Sequence, residues 1–463
     1  MIPVLACVML ACGGSDHSAK TVATAGSGNA PGGTGSASDG GGSGGSGTST
    51  ANGGSSTPSG GSMSVAGSAS SAAGGPSAAG SGCGSTARAN NFEGRPRACV
   101  PTGQCNATMP SKATYKPTAT PPNLPIGTLV DIGPPVGALP EGGAYALAMT
   151  FDPTNTATLY VGFEFMNGGS SKNGLWKSTD GGSSWKLLGS GKDEDVYDCT
   201  SNYLDMPIRI EVDPNDSNHL YVTEGVRGAG NGFWVSWDGG DTWTRAFSGD
   251  LTAMDVDPCD FCHVIVGSHD TDPIGVLETT DGGASFTKHP PPAGWEGGSY
   301  GVSFLYDPKT KQGDSKTWLV HNSHFWRTSD AGATWTSVSD IGGIHGFTTL
   351  YYASNGALFS GASYAPAVST DNGLTWKQAG QGLSNSAVYY GLIGDGTNLY
   401  SMPDNSPPPQ PMMMATESGT PNWLTYGDGK QTAKRGMQHP HYDAVSGILY
   451  FVNNVTLMAV KLH

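Results

Sequence analysis

Basic residues are scarce in this chain: 23 Lys and Arg stand against 38 Asp and Glu in 463 residues, for a formal net charge of −15, and no basic run occurs anywhere. Without a positive stripe, binding to nucleic acid or to an anionic membrane surface through a basic patch is not expected. Long hydrophobic runs are missing as well. The apolar stretch at residues 1–12 is far shorter than the ~20 residues that span a bilayer. Core-forming residues are absent from a whole region, because residues 13–82 are nearly all Gly, Ser, Ala and Thr, with no Ile, Leu or Phe. Such a segment cannot offset chain entropy by burial and is expected to be a flexible coil.

What is present divides into an address and a globular part. The N-terminus runs Met1-Ile-Pro-Val-Leu-Ala-Cys-Val-Met-Leu-Ala-Cys12 and then turns polar. It resembles a bacterial lipobox, with Met9-Leu10-Ala11 before Cys12, the residue that would carry the lipid. The resemblance implies a cleaved signal over residues 1–12, a tether over 13–82, and an extracytoplasmic protein that meets a membrane only through its lipid anchor. Cys83, Cys99, Cys105, Cys199, Cys259 and Cys262 then remain, an even number suited to an oxidising compartment. Cys99 with Cys105 and Cys259 with Cys262 are the local pairings to consider, and residues 83–124 read as an extended Cys-containing segment.

From Pro125 to the end the chain is rich in Trp, Tyr, Val and Leu, with turn residues every eight to twelve positions, the pattern of an all-β domain. One motif recurs, Ser/Thr-x-Asp-x-Gly-x-x-Trp/Phe, at Ser178 to Trp185, Ser236 to Trp243, Thr279 to Phe286, Thr328 to Trp335 and Ser369 to Trp376. In each copy the Asp (Asp180, Asp238, Asp281, Asp330, Asp371) is expected to accept backbone N–H bonds across a tight turn. The Gly supplies a conformation that other residues resist, and the aromatic packs the turn down. Asp-Pro turns repeat in step at Asp152, Asp213, Asp257 and Asp307.

This motif resembles the Asp-box of sialidases, xyloglucanase-type glycosidases, sortilin-like receptors and photosystem assembly factors. The resemblance implies a β-propeller with one four-stranded blade per repeat and gives the box Asp residues a structural role. Five copies with a box, a sixth blade from Tyr390 to Tyr426 and a last one from His441 to Leu462 make a seven-bladed ring. The last blade is one strand short, and Gly127 to Ile132 is the expected donor. Six blades is the alternative, if the last segment is only a tail.

Loops leading into inner strands and loops joining second to third strands should share one face. They would gather His269, His324, His345, His439, Tyr300 and Glu164 as candidate catalytic groups. Arg227, Arg435, Asp205, Glu224, Trp295, Tyr203 and Asn322 would contact the substrate. Flat rings and hydrogen-bonding groups around a central opening suit a glycan.

Sialidase activity is not expected, since Pro207-Ile208-Arg209 is not the Arg-Ile-Pro motif and Arg is scarce. Glycoside hydrolysis needs two carboxyls, for which Glu164 with Asp205 or Glu224 are the candidates. Glu164 falls where xyloglucanase-type propellers place a catalytic Asp, although that family sets two propellers in tandem. A polysaccharide lyase needs a His or Tyr base and a cation for the uronate, and the histidines tilt the expectation slightly that way. A monomeric, non-catalytic propeller binding glycan or protein is the alternative. No cofactor is implied, although Ca or another divalent metal could occupy the central channel.

Overall fold

The computed structural model describes residues 122–136, 144–165, 174–188, 204, 206–225, 231–258, 260–269, 275–306, 315–339, 341, 350–363, 365–383, 387–404, 410–417, 420–433, 436–453 and 456–463. The expected leader and tether, and all but the last three residues of the expected 83–124 segment, lie outside the described residues.

Seven four-stranded antiparallel sheets follow one another along the chain. Blade one is built from Ala144–Asp152, Asn155–Phe165, Gly174–Ser178 and Lys186–Leu187. Blade two repeats this with Pro207–Asp213, Asp216–Glu224, Gly232–Ser236 and Thr244–Ser248. The inner strands of the next four blades are Leu251–Asp257, Gly301–Phe304, Leu350–Tyr352 and Leu392–Gly394. Blade seven holds Gln438–Asp443, Ile448–Val452 and Leu457–Lys461, and its fourth strand is Leu129–Asp131, with Val130 opposite Ala459. The donated strand is therefore where the sequence placed it, and the last segment is a blade rather than a tail.

The local reasons are visible in the turns. Asp152 Oδ1 accepts the N–H of Thr154 at 2.8 Å, Asp213 Oδ1 that of Asn215 at 2.8 Å, and Asp443 Oδ1 that of Val445 at 2.9 Å. Each short side chain thus closes the first hairpin of its blade in an Asx-type turn.

Apolar side chains from neighbouring blades meet in seven clusters, one at every junction of the ring. Ala148 and Tyr160 of blade one join Ile210 and Val212 of blade two. Tyr221 and Phe233 of blade two join Met254 and Val264 of blade three. Three further clusters carry the series to blade six, and Tyr400 and Met402 of blade six meet Leu449 and Phe451 of blade seven. The last cluster sets Ile448 and Tyr450 of blade seven against Met149 and Leu159 of blade one, so the ring closes by packing as well as by strand donation. Backbones approach closely at these junctions. A Cβ on Gly267 would sit 2.1 Å from the Ser299 carbonyl oxygen, so only glycine fits there.

Two small additional sheets decorate one sector. Ala362–Ser363, in the second-to-third-strand loop of blade five, pairs with Val388–Tyr389, which leads into blade six. Gln410–Pro411 and Thr432–Ala433 repeat the arrangement from blade six to blade seven.

Candidate functional site

The repeated turns lie between third and fourth strands and share one bonding scheme. In blade one the Ser178 hydroxyl donates to Asp180 Oδ1 at 2.8 Å and accepts the Gly182 N–H at 2.8 Å, while Asp180 Oδ1 also accepts the Ser184 N–H at 2.8 Å. Asp238, Asp281, Asp330 and Asp371 are held in the same way by Thr242, Ser285, Thr334 and Thr375. A second hydroxyl completes each turn, as when Ser285 Oγ donates to Asp281 Oδ2 at 2.6 Å. Two consecutive residues take positive φ, Gly282 at 71° and Gly283 at 93° in blade three, with Ala331 or Asn372 as the first of the pair in blades four and five. Hydrogen bonding to the ionised form holds Asp180, Asp281, Asp330 and Asp371 low, Asp330 at about 2 with the Thr334 hydroxyl as the largest cause. The Ser/Thr before the aromatic recurs in all five copies and was passed over in reading the motif.

On the opposite side, where second strands end and inner strands begin, several expected candidates are described. His269 Nδ1 lies 3.5 Å from Asp250 Oδ2, and its ring meets that of Tyr300 edge-on at 6.0 Å. His324 Nδ1 is 3.0 Å from Ser323 Oγ, while the His324 N–H donates to Asn322 Oδ1 at 3.0 Å, so the Asn322 oxygen closes a tight turn. Glu224 is buried, and its Oε1 accepts the Met206 N–H at 3.1 Å. Trp295 stacks on Trp326 at 5.5 Å and meets Trp335 edge-on, giving ring surface to the blade-four core. Glu164 is the penultimate residue of the second strand of blade one, opposite Tyr145. Tyr203, Asp205, Arg227, His345, Arg435 and Cys12 lie outside the described residues, as do Cys99, Cys105 and Cys259.

His439 occupies a different place from the loop His expected of it. It is buried with a positive φ of 44°, and its Nδ1 is hydrogen-bonded to Nη1 of Arg209 from blade two. Around Arg209 stand Glu211 of the same strand, Asp255 of blade three, His321 of blade four and His441 of blade seven. Groups from blades two, three, four and seven can share one neighbour only at the ring axis. Glu211, Asp255 and His441 are surrounded by protein yet partly accessible, as the lining of a narrow central opening would be.

Burial dominates the electrostatics there. It pushes Glu211 up to about 7 against the attraction of Arg209, and Asp255 up to about 8 against a 2.7 Å bond from the Phe304 N–H. Burial and then Arg209 push His441 down to about 4 and His321 to about 3.

Sequence reasoning missed Glu211, Asp255, His321 and His441. A signal for three of them was present, since Glu211, Asp255 and His441 each stand two residues before the turn Asp of their inner strand. Among the described residues no group of three or more His, Cys, Asp or Glu is placed to hold a metal ion.

No protein-family model matches the chain. Among known proteins, a xyloglucanase of Hypocrea jecorina (strain QM6a) is 25% identical over 266 residues, 52% of this chain and 26% of that protein, so the match spans about a quarter of the relative's length. Among solved structures, the GH74 xyloglucanase from Xanthomonas campestris superposes with a TM-score of 0.52 at 15% identity, covering 73% of this chain and 54% of that one. An ancestral GH74 enzyme gives 0.51 at 15% identity, over 69% and 45%. YCF48 bound to a D1 peptide gives 0.50 at 11% identity, over 76% of this chain and 99% of that one. At these identities the structural likenesses establish the propeller fold alone.

Proposed function

We propose that this propeller cleaves a polysaccharide by glycoside hydrolysis, with a β-glucan of the xyloglucan type as the first substrate to test. The observation that carries the reading is the 266-residue relationship to a xyloglucanase. The topology is compatible with it, because Glu164 and Glu224 occupy the same end of the second strands of blades one and two, the end of the blades at which His269, Tyr300 and His324 also stand. Hydrolysis requires one protonated and one ionised carboxyl roughly 5–10 Å apart. Glu224 is already engaged by a backbone N–H, which favours Glu164 with Asp205 as the acid–base pair. Hydrolysis is preferred over elimination because the relatives speak for it, and because His439, counted toward a lyase base, is tied to Arg209 at the axis. In this reading the repeated turns belong to the Asp-box class, and the propeller is held outside the cytoplasm by a lipid on Cys12.

A second reading is a surface-tethered binder of protein or glycan, favoured by the fold likeness to YCF48 in complex with a peptide, whose chain is almost wholly covered.

One experiment separates the three outcomes. The full chain is incubated with xyloglucan, mixed-linkage glucan, pectate and alginate, and both reducing ends and the ultraviolet absorbance of unsaturated uronates are followed. Hydrolysis releases reducing ends without that absorbance, and Glu164→Gln lowers the rate by on the order of 100-fold or more, the scale of one lost acid–base group. A rise in absorbance that is abolished in His324→Ala establishes a lyase instead. Retention on an immobilised glycan without cleavage of any of the four establishes a binder.

A further inference from the structure

The hydrogen bond between Arg209 and His439 joins blades two and seven, which are not neighbours in the ring: blade one stands between them. It bridges 230 residues of sequence and lies at the axis, whereas the donated strand Leu129–Asp131 closes the ring within blade seven. A guanidinium has five donors and no acceptor, so the Nδ1 it contacts must carry a lone pair, and the ring proton of a neutral His439 must sit on Nε2. Protonating His439 would remove the acceptor and set two positive charges in contact in a buried place. That requirement follows from donor and acceptor chemistry alone.

The groups facing this contact come from every inner element packed against it. Glu211 lies on the strand of Arg209, Asp255 on the inner strand of blade three, His321 on the second strand of blade four and His441 on the strand of His439. Tyr352 of blade five, whose hydroxyl donates to the Phe304 carbonyl at 2.7 Å, keeps its proton throughout the ordinary range. None of these groups opposes the contact while the two carboxyls are protonated and the three histidines are neutral. Ionised Glu211 or Asp255 would compete with His439 for the guanidinium, since a charged acceptor is the stronger partner.

We propose that Arg209 and His439 form a pH-dependent latch at the ring axis, fastened in mildly acidic solution and released on both sides of it, which fixes blade seven to blade two beneath the candidate mouth.

The acid and alkaline limits have opposite origins. Glu211 and Asp255 are raised by burial from 4.5 and 3.8 to about 7 and about 8, so the folded state holds more protons than the unfolded one and loses stability as pH rises through that span. His441 and His321 are lowered by burial and Arg209 from 6.5 to about 4 and about 3, and His439 is lowered well below 6.5 for the same reasons. The unfolded state therefore holds more protons there, and stability falls as pH drops from 6.5. Between about 4.5 and 6.5 the two slopes oppose each other and largely cancel, and there the folded state keeps Glu211 and Asp255 protonated and the histidines neutral, the condition in which the latch is fastened.

The test uses the full chain and two kinds of reading. In a long-range proton–nitrogen NMR spectrum of the protein labelled on histidine, His439 should show the Nε2–H tautomer and should not titrate near the ordinary histidine range. Melting temperature is then followed against pH for the wild type, Arg209→Met, His439→Asn and His439→Leu. Asn keeps an acceptor near the Nδ1 position but cannot take a proton. It should hold the melting temperature in mild acid and shrink the acid loss, whereas His439→Leu and Arg209→Met should lower the maximum and share most of their effect when combined. An Nδ1–H tautomer or an ordinary titration of His439 overturns the latch, and so does equal behaviour of the Asn and Leu variants. The NMR reading stands even if a variant fails to fold, and no arm depends on enzymatic activity, so failure of the latch leaves the proposed hydrolysis untouched.

Discussion

At the scale of the residue, the repeated turns show how much one carboxylate can organise. Asp281 accepts the Thr279 hydroxyl, the Ser285 hydroxyl and the Ser285 N–H, all at 2.8–2.9 Å or shorter, while its neighbours take left-handed backbone conformations. Removing the carboxylate leaves a strained turn with its donors returned to water. Asp281→Ala should destabilise the protein by about 1–2 kcal/mol, as loss of a capping side chain does, with no change in any catalytic rate. Denaturant unfolding checks the first part, and equal turnover on whichever glycan is cleaved checks the second. The role of this Asp was legible in the sequence because it depends on residues within a few positions of one another. Trp295 was not legible in the same way. Its aromatic character suggested a sugar platform, but its stacking on Trp326 depends on how blade four folds over it.

Between elements, blade three carries a chain of hydrogen-bonded groups that no motif announced. His263 Nδ1 meets Asp257 Oδ2 at 3.1 Å, His263 Nε2 meets Glu278 Oε1 at 2.8 Å, and Glu278 Oε2 meets His289 Nε2 at 2.8 Å. The Tyr306 hydroxyl, from the far end of the blade-four inner segment, donates to Asp257 and ties the two blades together. Burial works against the charge on His263, but its bonds to Asp257 and Glu278 outweigh it and raise the group to about 9. Burial likewise opposes ionisation of Glu278, and the two histidines overcome it, lowering the group to about 2.

The His263 contribution is therefore complete below its unfolded value of 6.5 and is lost as pH rises through about 9; that of Glu278 is complete above 4.5 and lost as pH falls through about 2. Unfolding free energy measured from pH 7 to pH 10 should fall more steeply in the wild type than in His263→Leu, with a difference on the order of 2 kcal/mol. Parallel curves would mean that the chain of bonds does not couple to folding. The spacing of Asp257 and His263 recurs in blade two as Asp213 and His219, 3.1 Å apart, so a comparison of blades could have exposed the pair.

For the whole molecule, closure is the governing requirement. Without the donated strand, Leu457–Lys461 would be the bare outer edge of a three-stranded blade seven, and unpaired edges invite aggregation. Leu129–Asp131 covers that edge, and the Gln431 side chain accepts the Leu129 N–H at 2.7 Å to hold the strand in place. Replacing residues 129–131 by Gly-Ser-Gly should lower the melting temperature and raise amide exchange in Leu457–Lys461 first, while exchange in the inner strand of blade three stays slow. Uniform loss of protection in all seven blades would show that the ring unfolds as a single unit. The proposed function also belongs to this scale, because a mouth for a glycan exists only when loops from several blades are gathered around one axis.

By itself, the amino-acid sequence determined what rests on near neighbours: the all-β class, the blade period and the Asp turns, and it pointed to Gly127 to Ile132 as a strand without a blade of its own. The first three follow from alternation, turn chemistry and repetition, each written within a span of a few tens of residues, whereas the choice of seven blades over six was settled by the pairing of Leu129–Asp131 with Leu457–Lys461. Tertiary structure alone decided which side chains share a space. It carried His439 from a presumed loop to the axis, surrounded Arg209 with groups from four blades, and turned Trp295 toward the packing of blade four. The physical reason is that burial and partnership set the charge and chemistry of a side chain, and both are supplied by strands hundreds of residues away that meet only when the circle closes.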